Sequence, residues 1–191
     1  MPYVQICIEC SRSPFAQAAT RMPATPDDLF AFLAGLGIAH HTVTHPPLFT
    51  VEQSRALRGT IPGGHTKNLF LKDKKDAVFL VVAPEDARID LKSLHTRLGA
   101  SRFSFGSANL MRDLLGVEPG AVTAFGVIND KDRRVTVVID AGLMENAIVN
   151  CHPLTNTMTT SIARDDLLKF LLATGHAPRI ERVADGAGMG S

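Results

Sequence analysis

Apolar positions recur along most of the chain with the spacing of either a helix or a strand. Thr25, a proline and two acidic residues form a strong helix opening, and apolar residues at positions 29, 30, 33 and 36 supply one buried helical face. A strand-like segment at 40–45 follows and stops at two prolines. Residues 50–53 have the spacing of a capping box, which predicts a short helix ending near Gly59.

Strand patterns dominate the middle of the chain. Apolar runs at 68–72 and 77–83 flank the charged turn DKKD and predict a hairpin, and further strands are predicted at 125–128, 135–139, 147–151 and 157–162. Short helices are predicted at 91–98, 107–115 and 164–174, each followed by a glycine. Hairpins outnumber regular strand–helix–strand units. The pattern therefore predicts an α/β (α+β) fold with a mixed, mostly antiparallel, barrel-like sheet surrounded by helices.

The two ends of the chain lack these patterns. Residues 1–21 show no clear periodicity, and Met22 directly precedes the first helix opening. We expect 1–21 to be a loose extension, or translation of the native protein to begin at Met22; the intact mass of the native protein distinguishes the two. The glycine-rich residues 185–191 are expected to be disordered, which leaves 22–184 as one domain.

Composition narrows the functional class. Hydrophobic residues make up 45% and charged residues 20% of the chain, and the formal net charge is +1. These values exclude a strongly basic nucleic-acid binder but allow an enzyme that holds one end of an RNA with a local basic patch. Three cysteines cannot form a disulfide framework, and we find neither a signal peptide nor an apolar run of membrane-spanning length. A cytoplasmic location is expected.

Common catalytic motifs do not occur in the sequence. It has no phosphate-binding loop, no dinucleotide-binding glycine pattern and no serine nucleophile elbow. The CxxC spacing at 7–10 is compatible with redox chemistry or half a zinc site, but it has no second cysteine pair. The histidines at 40, 41 and 45 have no acidic partner at metal-ligand spacing. We therefore expect no metal and no cofactor.

Three polar segments beside apolar strands remain as candidates for chemistry. Lys67 stands where a glycine turn enters a strand; such a lysine is usually solvated, but at a pocket rim it binds a phosphate or hydroxyl. The segment 152–160 is dense in polar side chains, which need partners from each other or from a ligand. The turn at 116–120 offers backbone N–H groups that can face an oxygen.

The segments that contain these residues resemble segments of the prolyl-tRNA editing family of YbaK/ProX type, and they occur in the same order as in that family. That family includes the insertion editing domain of bacterial prolyl-tRNA synthetase and freestanding relatives, and the resemblance is closest to the freestanding Ala-tRNA(Pro) deacylases. The resemblance covers about 22–184 and rests on HPPLFTVEQSRAL (45–57), HTKNLFLKDKKD (65–76), LGVEPGAVTAFGVIND (115–130) and HPLTNTMTTSI (152–162). It implies an α/β fold with a barrel-like sheet, no metal, and hydrolysis of the ester that joins an amino acid to the terminal adenosine of tRNA.

The resemblance also implies site residues. The family's lysine falls on Lys67, its neighbouring asparagine on Asn68, the histidine of its HPL segment on His152 and its glycine turn on Gly120, while Ala124 stands where the family pattern has proline. The expected catalytic residues are thus Lys67, His152 and Gly120, and the expected substrate-binding residues are Thr66, Asn68, His45 and Asn156.

Ester hydrolysis needs a positioned water and donors for the carbonyl oxygen as it gains negative charge. Backbone amides near Gly120 could supply the donors, Lys67 could hold the terminal nucleotide, and His152 could bond the substrate amine or a water. A vicinal ribose hydroxyl could assist, because no protein nucleophile is evident. A small pocket would exclude proline sterically.

The expected partner is the acceptor end of mischarged proline tRNA, with no membrane association. An apolar edge strand would allow a homodimer, although nothing in the sequence requires one. Three alternatives stay open: the same hydrolase acting on cysteine- or serine-charged tRNA, a nucleic-acid-binding module without catalysis, and a small-molecule-binding protein with a degenerate site.

Overall fold

The computed structural model describes residues 22–47 and 61–184. Helix α1, Pro26–Gly35, opens with the predicted capping box. The Thr25 hydroxyl accepts a hydrogen bond from the backbone N–H of Asp28 (3.2 Å), and the Asp28 carboxylate accepts one from the N–H of Thr25 (2.8 Å). Leu29 and Leu33 are fully buried, so one face of α1 packs on the core.

Three more α-helices and two short 3₁₀ helices occur in the described residues. The α-helices are α2 (Leu91–Arg97), α3 (Ala108–Leu115) and α4 (Arg164–Ala173), and the 3₁₀ helices are Ala124–Ile128 and Leu143–Glu145. Three of the predicted helices are followed by a glycine in the left-handed conformation, as expected. Gly99 (φ 68°) and Gly175 (φ 84°) lie two residues past the ends of α2 and α4, and Gly116 (φ 65°) lies directly after α3.

Eight strands form one mixed sheet. They are β1 (His40–Thr44), β2 (Gly64–Asp73), β3 (Val78–Pro84), β4 (Phe103–Phe105), β5 (Val135–Asp140), β6 (Ile148–Cys151), β7 (Met158–Ala163) and β8 (Arg179–Glu181). The order is β1-β7-β6-β2-β3-β5-β8, with β4 paired to β2. The β1–β7, β6–β7, β2–β3 and β2–β4 pairs are antiparallel, and the β2–β6, β3–β5 and β5–β8 pairs are parallel.

Strand β2 connects the two halves of this sheet. Along one edge it pairs with β3, while along the other its first residues pair with β6 and its last three with β4. Its side chains alternate between two cores. Phe70 packs in the larger core with Leu80, and Leu71 packs in the smaller core with Phe79.

The predicted α/β class and the mixed, mostly antiparallel sheet are confirmed. In the described part of the chain the sheet stays open, because β1 and β8 each have a single neighbour. The predicted extension 1–21, the helix at 50–59 and the tail 185–191 lie outside the described residues. None of the helices within 22–47 and 61–184 is long and apolar enough to span a membrane.

Some local predictions need correction. The expected strand at 125–128 is a 3₁₀ helix, whose start is capped by the Thr123 hydroxyl accepting from the N–H of Phe125 (3.3 Å). A short, fully buried apolar run carries no periodicity, so it cannot distinguish a strand from a helical turn. The sequence pattern also missed β4 and β8, which are three residues each.

Candidate functional site

The start of β2 lies against the end of β6, just before the polar segment that begins at His152. The Thr66 hydroxyl donates to the carbonyl oxygen of Asn150 (2.8 Å) and lies 3.8 Å from the Cys151 sulfur. The Asn150 side chain is buried; it donates to the carbonyl of Pro62 (3.1 Å) and accepts from the Ser161 hydroxyl (2.6 Å). These bonds fix the entry to β2 relative to β6 and β7.

His152 comes directly after β6, and one hydrogen bond determines which of its ring nitrogens carries the proton. Its Nδ1 lies 3.0 Å from the carbonyl oxygen of Met158, and a carbonyl only accepts, so Nδ1 carries the proton. Burial lowers the pKa of His152 below its ordinary 6.5, and the nearby His45 lowers it further, against the opposite effects of the Met158 carbonyl and Glu85. At neutral pH the imidazole is therefore uncharged, and its Nε2 has a lone pair for a donor.

His45 lies at the other side of the same polar segment. Its backbone N–H donates to the carbonyl of Thr157 (2.9 Å), its Nδ1 donates to the carbonyl of Pro46 (2.9 Å), and its Nε2 contacts the Thr159 hydroxyl (3.0 Å). The ring is buried. These contacts join the end of β1 to the segment that leads into β7.

Gly120 turns towards this segment from another part of the chain. Its φ of 96° is a conformation that favours glycine, and a Cβ placed on it would lie 3.9 Å from the amide nitrogen of Asn156. The turn is solvent-exposed, while Asn156 is half-buried. Gly120 and Asn156 therefore lie near each other, so that a side chain at position 120 would contact the amide.

Lys67 and Asn68 occupy opposite faces of β2. The Lys67 ammonium donates to the carbonyl oxygen of Ala87, in the segment that follows β3. An ammonium has three N–H donors, so this contact leaves donor capacity for a ligand. Asn68 faces the larger core, and its Oδ1 is buried without a hydrogen-bond partner in the described part of the chain. A buried acceptor without a donor costs on the order of 1–3 kcal/mol, which a ligand donor would recover.

Glu85 is a residue of this region that the sequence analysis missed. It follows β3 directly, its N–H donates to the carbonyl of His65 (2.9 Å), and its carboxylate favours the protonated form of His152. The available signal was its position at the end of an apolar strand, where the chain leaves the sheet.

The arrangement excludes one nucleophile and contains no metal cluster. Cys151 is buried, and burial raises the pKa of its thiol to about 12, with a smaller opposite effect from Thr66. Its thiolate is therefore not populated at neutral pH. Within the described ranges, no three His, Cys, Asp or Glu side chains lie close enough together to hold a metal ion.

Five of the seven predicted site residues surround the polar segment after β6: Thr66, His152, His45, Asn156 and Gly120. Lys67 and Asn68 follow Thr66 on β2, with the Lys67 ammonium held on the far side of the strand. The site thus offers a neutral imidazole acceptor and the N–H of Gly120 in an exposed turn, while the Lys67 ammonium lies on the opposite face of β2. Their roles towards a substrate stay predictions.

Comparison with known proteins gives a consistent result. The model of the family described as "Aminoacyl-tRNA editing domain" matches residues 45–170. The chain is 40% identical to "Prolyl-tRNA synthetase associated domain-containing protein 1" of Danio rerio, over 80% of this chain and 84% of that protein. It is 36% identical to "Prolyl-tRNA editing protein ProX" of Acetoanaerobium sticklandii, over 78% of this chain and 91% of that protein.

A solved structure shares the fold. It is described as a candidate trans-editing enzyme for prolyl tRNA synthetase, and it matches with a TM-score of 0.66 over 85% of this chain and 99% of that chain. The sequence identity is 17%, so this likeness concerns the fold alone.

Proposed function

Because the chain belongs to the aminoacyl-tRNA editing domain family, we propose that it hydrolyses the ester of alanine wrongly attached to proline tRNA. The family establishes the reaction class, so the chain is an aminoacyl-tRNA deacylase. The names of the Danio and Acetoanaerobium relatives support prolyl tRNA as the substrate. A cytoplasmic location accords with the proposal, since aminoacylated tRNA is available there.

The observation that carries the proposal is the convergence of polar groups on the segment after β6. Residues from four distant stretches, at 45, 66, 120 and 152–156, meet there although they share no local element. Such convergence of donors and acceptors around one exposed turn is what binding of a small polar group requires.

We assign the roles by the chemistry of each group. The N–H of Gly120, in the exposed turn, stabilises the carbonyl oxygen of the ester as it becomes negatively charged; the next N–H, that of Ala121, is already bonded to the carbonyl of Glu118 (3.0 Å). The neutral Nε2 of His152 accepts a hydrogen bond from the substrate ammonium or the attacking water. Its lowered pKa makes it a weak base, so we assign it an orienting role and leave proton removal to water or the vicinal ribose hydroxyl.

Lys67 acts as the cation that binds the terminal nucleotide, exchanging or sharing its contact with the Ala87 carbonyl. Asn68 and Thr66 contribute polar contacts from the opposite face of β2. Lys74 and Lys75, directly after β2, supply local positive charge for the rest of the tRNA, while Lys72 at the end of β2 is paired with Asp76 (2.5 Å). Arg55 and Arg58 carry the same charge but lie outside the described residues.

The test is deacylation of alanine-charged and proline-charged proline tRNA by the purified protein. We expect rapid loss of alanine and retention of proline, because the larger ring is excluded sterically. Lys67→Ala should lower the rate by about a hundredfold, the scale for losing a donor in such a site.

Lys169→Ala is the matched control. Lys169 also donates to a backbone carbonyl, that of Leu36 (2.7 Å), but it lies on α4 away from the polar segment. It should leave the rate unchanged. Hydrolysis of seryl or cysteinyl esters in place of alanyl esters would correct the cargo, and a lack of hydrolysis of any of these esters would refute the proposal.

A further inference from the structure

Phe105 is an aromatic side chain that the fold leaves in solvent. It is 65% exposed, and it is the sole aromatic residue among the large, exposed apolar side chains of the described ranges. The other phenylalanines there pack into cores or against neighbouring rings, as Phe79 does on Phe103 and Phe125 on Phe170. A single exposed apolar side chain is ordinary, so the case for a role of Phe105 rests on what surrounds it.

The backbone around Phe105 is held on both sides. β4 pairs with the end of β2, where Leu71 lies opposite Phe105. The next residue, Gly106, donates its N–H to the carbonyl of Phe70 (2.9 Å), and a Cβ on it would lie 2.5 Å from the Phe70 ring. The backbone that carries the ring is thus fixed, so stacking of a ligand on the ring costs the protein little conformational entropy.

Positive charge lies beside β4 on the face that carries Phe105. Phe103, two residues earlier on the same face, lines a cleft of about 350 Å³ together with Lys92, His95 and Arg102 and with no acidic residue. The cleft of about 410 Å³ that Phe105 itself lines is charge-balanced, because it contains Asp113 and because its Lys72 pairs with Asp76 (2.5 Å). A fixed aromatic ring beside a basic cleft is complementary to a single-stranded nucleic acid, whose bases stack while its phosphates meet the cations.

Phe105 and Lys67 are also on the same face of the sheet. Side chains alternate along β2, so Lys67, Leu69 and Leu71 share a face, and Phe105 is the cross-strand neighbour of Leu71. Lys67 and Leu71 are four positions apart along the strand, which corresponds to a distance of about 13 Å. A few nucleotides of extended strand cover that distance.

We infer that Phe105 is a stacking platform for an unpaired base in the single-stranded 3′ end of tRNA, a few nucleotides before the terminal adenosine. The inference rests on the proposed function, since it places the terminal adenosine near Lys67. It adds a residue that contributes to binding of the RNA and takes no part in the hydrolysis of the ester.

The test compares two substrates of different length. Alanyl-tRNA has the upstream bases, whereas alanyl-adenosine has none. Phe105→Ala should raise the KM for alanyl-tRNA by roughly tenfold without changing kcat, as expected for the loss of one stacked base. It should leave the hydrolysis of alanyl-adenosine unchanged. Phe105→Trp should restore the KM, and Leu172→Ala, another exposed apolar residue, should have no effect.

Binding of an uncharged RNA hairpin with a CCA end, followed by fluorescence anisotropy, makes the same comparison without hydrolysis. A wild-type protein that binds this RNA but hydrolyses neither substrate would overturn the proposed function and leave the stacking inference standing if Phe105→Ala weakens binding. The inference would be overturned if Phe105→Ala changed the hydrolysis of both substrates equally, or if it did not weaken binding of the hairpin. A change from dimer to monomer in sedimentation would also overturn it, because that change would make Phe105 a self-association contact.

Discussion

At the scale of single residues, His152 shows how one hydrogen bond fixes chemistry. The Met158 carbonyl can only accept, so it holds the proton on Nδ1 and leaves Nε2 as an acceptor. Burial and His45 both oppose a positive charge on the ring. The residue is thus prepared to receive a donor from the substrate over the whole neutral pH range.

This state predicts a pH dependence of activity. In the role proposed for His152 the neutral ring is the working form. Its pKa lies below the ordinary 6.5, so the acidic decline of deacylation should have its midpoint below pH 6.5. Rates of alanyl-tRNA hydrolysis between pH 4 and 8 measure this. In His152→Asn the inflection should disappear.

His45→Asn provides the matched comparison. It removes a ring that opposes protonation of His152, so the acidic inflection should move to higher pH. His45 is itself an expected substrate-binding residue, so the comparison uses the position of the inflection and not the rate. An inflection that is the same in wild type and both variants would show that another group controls the profile.

The residues of the site were predicted from the resemblance more fully than from their own pattern. Lys67 and the polar density after β6 were visible in the sequence, but Glu85 was not, because a single acidic residue at a strand end is common on protein surfaces. The contact of Lys67 with the Ala87 carbonyl could not be predicted from the sequence either, because it depends on the path that the loop after β3 takes.

At the scale of elements, the junction of β4 with β2 depends on close backbone approach. Gly106 lies against the buried ring of Phe70, which is 3% exposed and cannot move aside cheaply. A side chain at position 106 would separate β4 from β2 and displace Phe105. The glycine therefore maintains both the packing of Phe70 and the presentation of the exposed ring.

Gly106→Ala should accordingly lower the free energy of unfolding by about 1–3 kcal/mol, the usual cost of overpacking a core. Urea denaturation measures the change. Gly35→Ala, at the end of α1, is the control, since its added Cβ has no atom within 4 Å. That variant should be neutral or slightly stabilising, because alanine favours helix; equal losses in both would disprove the steric argument.

The elements themselves were largely predictable. The β2–β3 hairpin, α1, α3 and α4 all follow from periodicity and capping. The 3₁₀ helix Ala124–Ile128 was taken for a strand because all five residues are buried, so the run has no polar side to reveal its period. β4 and β8 are too short to show alternation, and only the sheet edge they pair with defines them.

At the scale of the whole molecule, a buried polar pair ties the end of α4 to the turn before β5. His176 Nε2 lies 3.1 Å from Asp130 Oδ2, and both side chains are 1% exposed. The same carboxylate accepts from the N–H of Val135 (2.7 Å). Burial by itself would raise the pKa of Asp130, but these hydrogen bonds and that of Arg134 outweigh it and lower the pKa.

The sign of this shift predicts how stability responds to acid. A carboxylate with a lowered pKa in the folded state stabilises above its ordinary pKa of 3.8, and the contribution is lost as the pH falls below that value. Asp130→Asn should be less stable than wild type by about 2 kcal/mol at pH 7, the scale of a hydrogen bond to a charged group.

The difference between wild type and Asp130→Asn should narrow as the pH falls below 3.8. Urea midpoints of both proteins at pH 7 and in acid measure it. A gap that is equal at both pH values would show that packing of the side chain, and not its charge, provides the stabilisation.

The bonds that assemble the polar site connect residues far apart in the chain. Thr66 bonds to Asn150, 84 positions later, and His45 contacts Thr159, 114 positions later. Non-local pairing of this kind closes long loops and makes folding slow. During synthesis, residues 45 and 66 emerge well before their partners. The polar site therefore cannot form until β6 and β7 have been translated, so the proposed hydrolysis cannot begin before residues 148–163 have emerged from the ribosome.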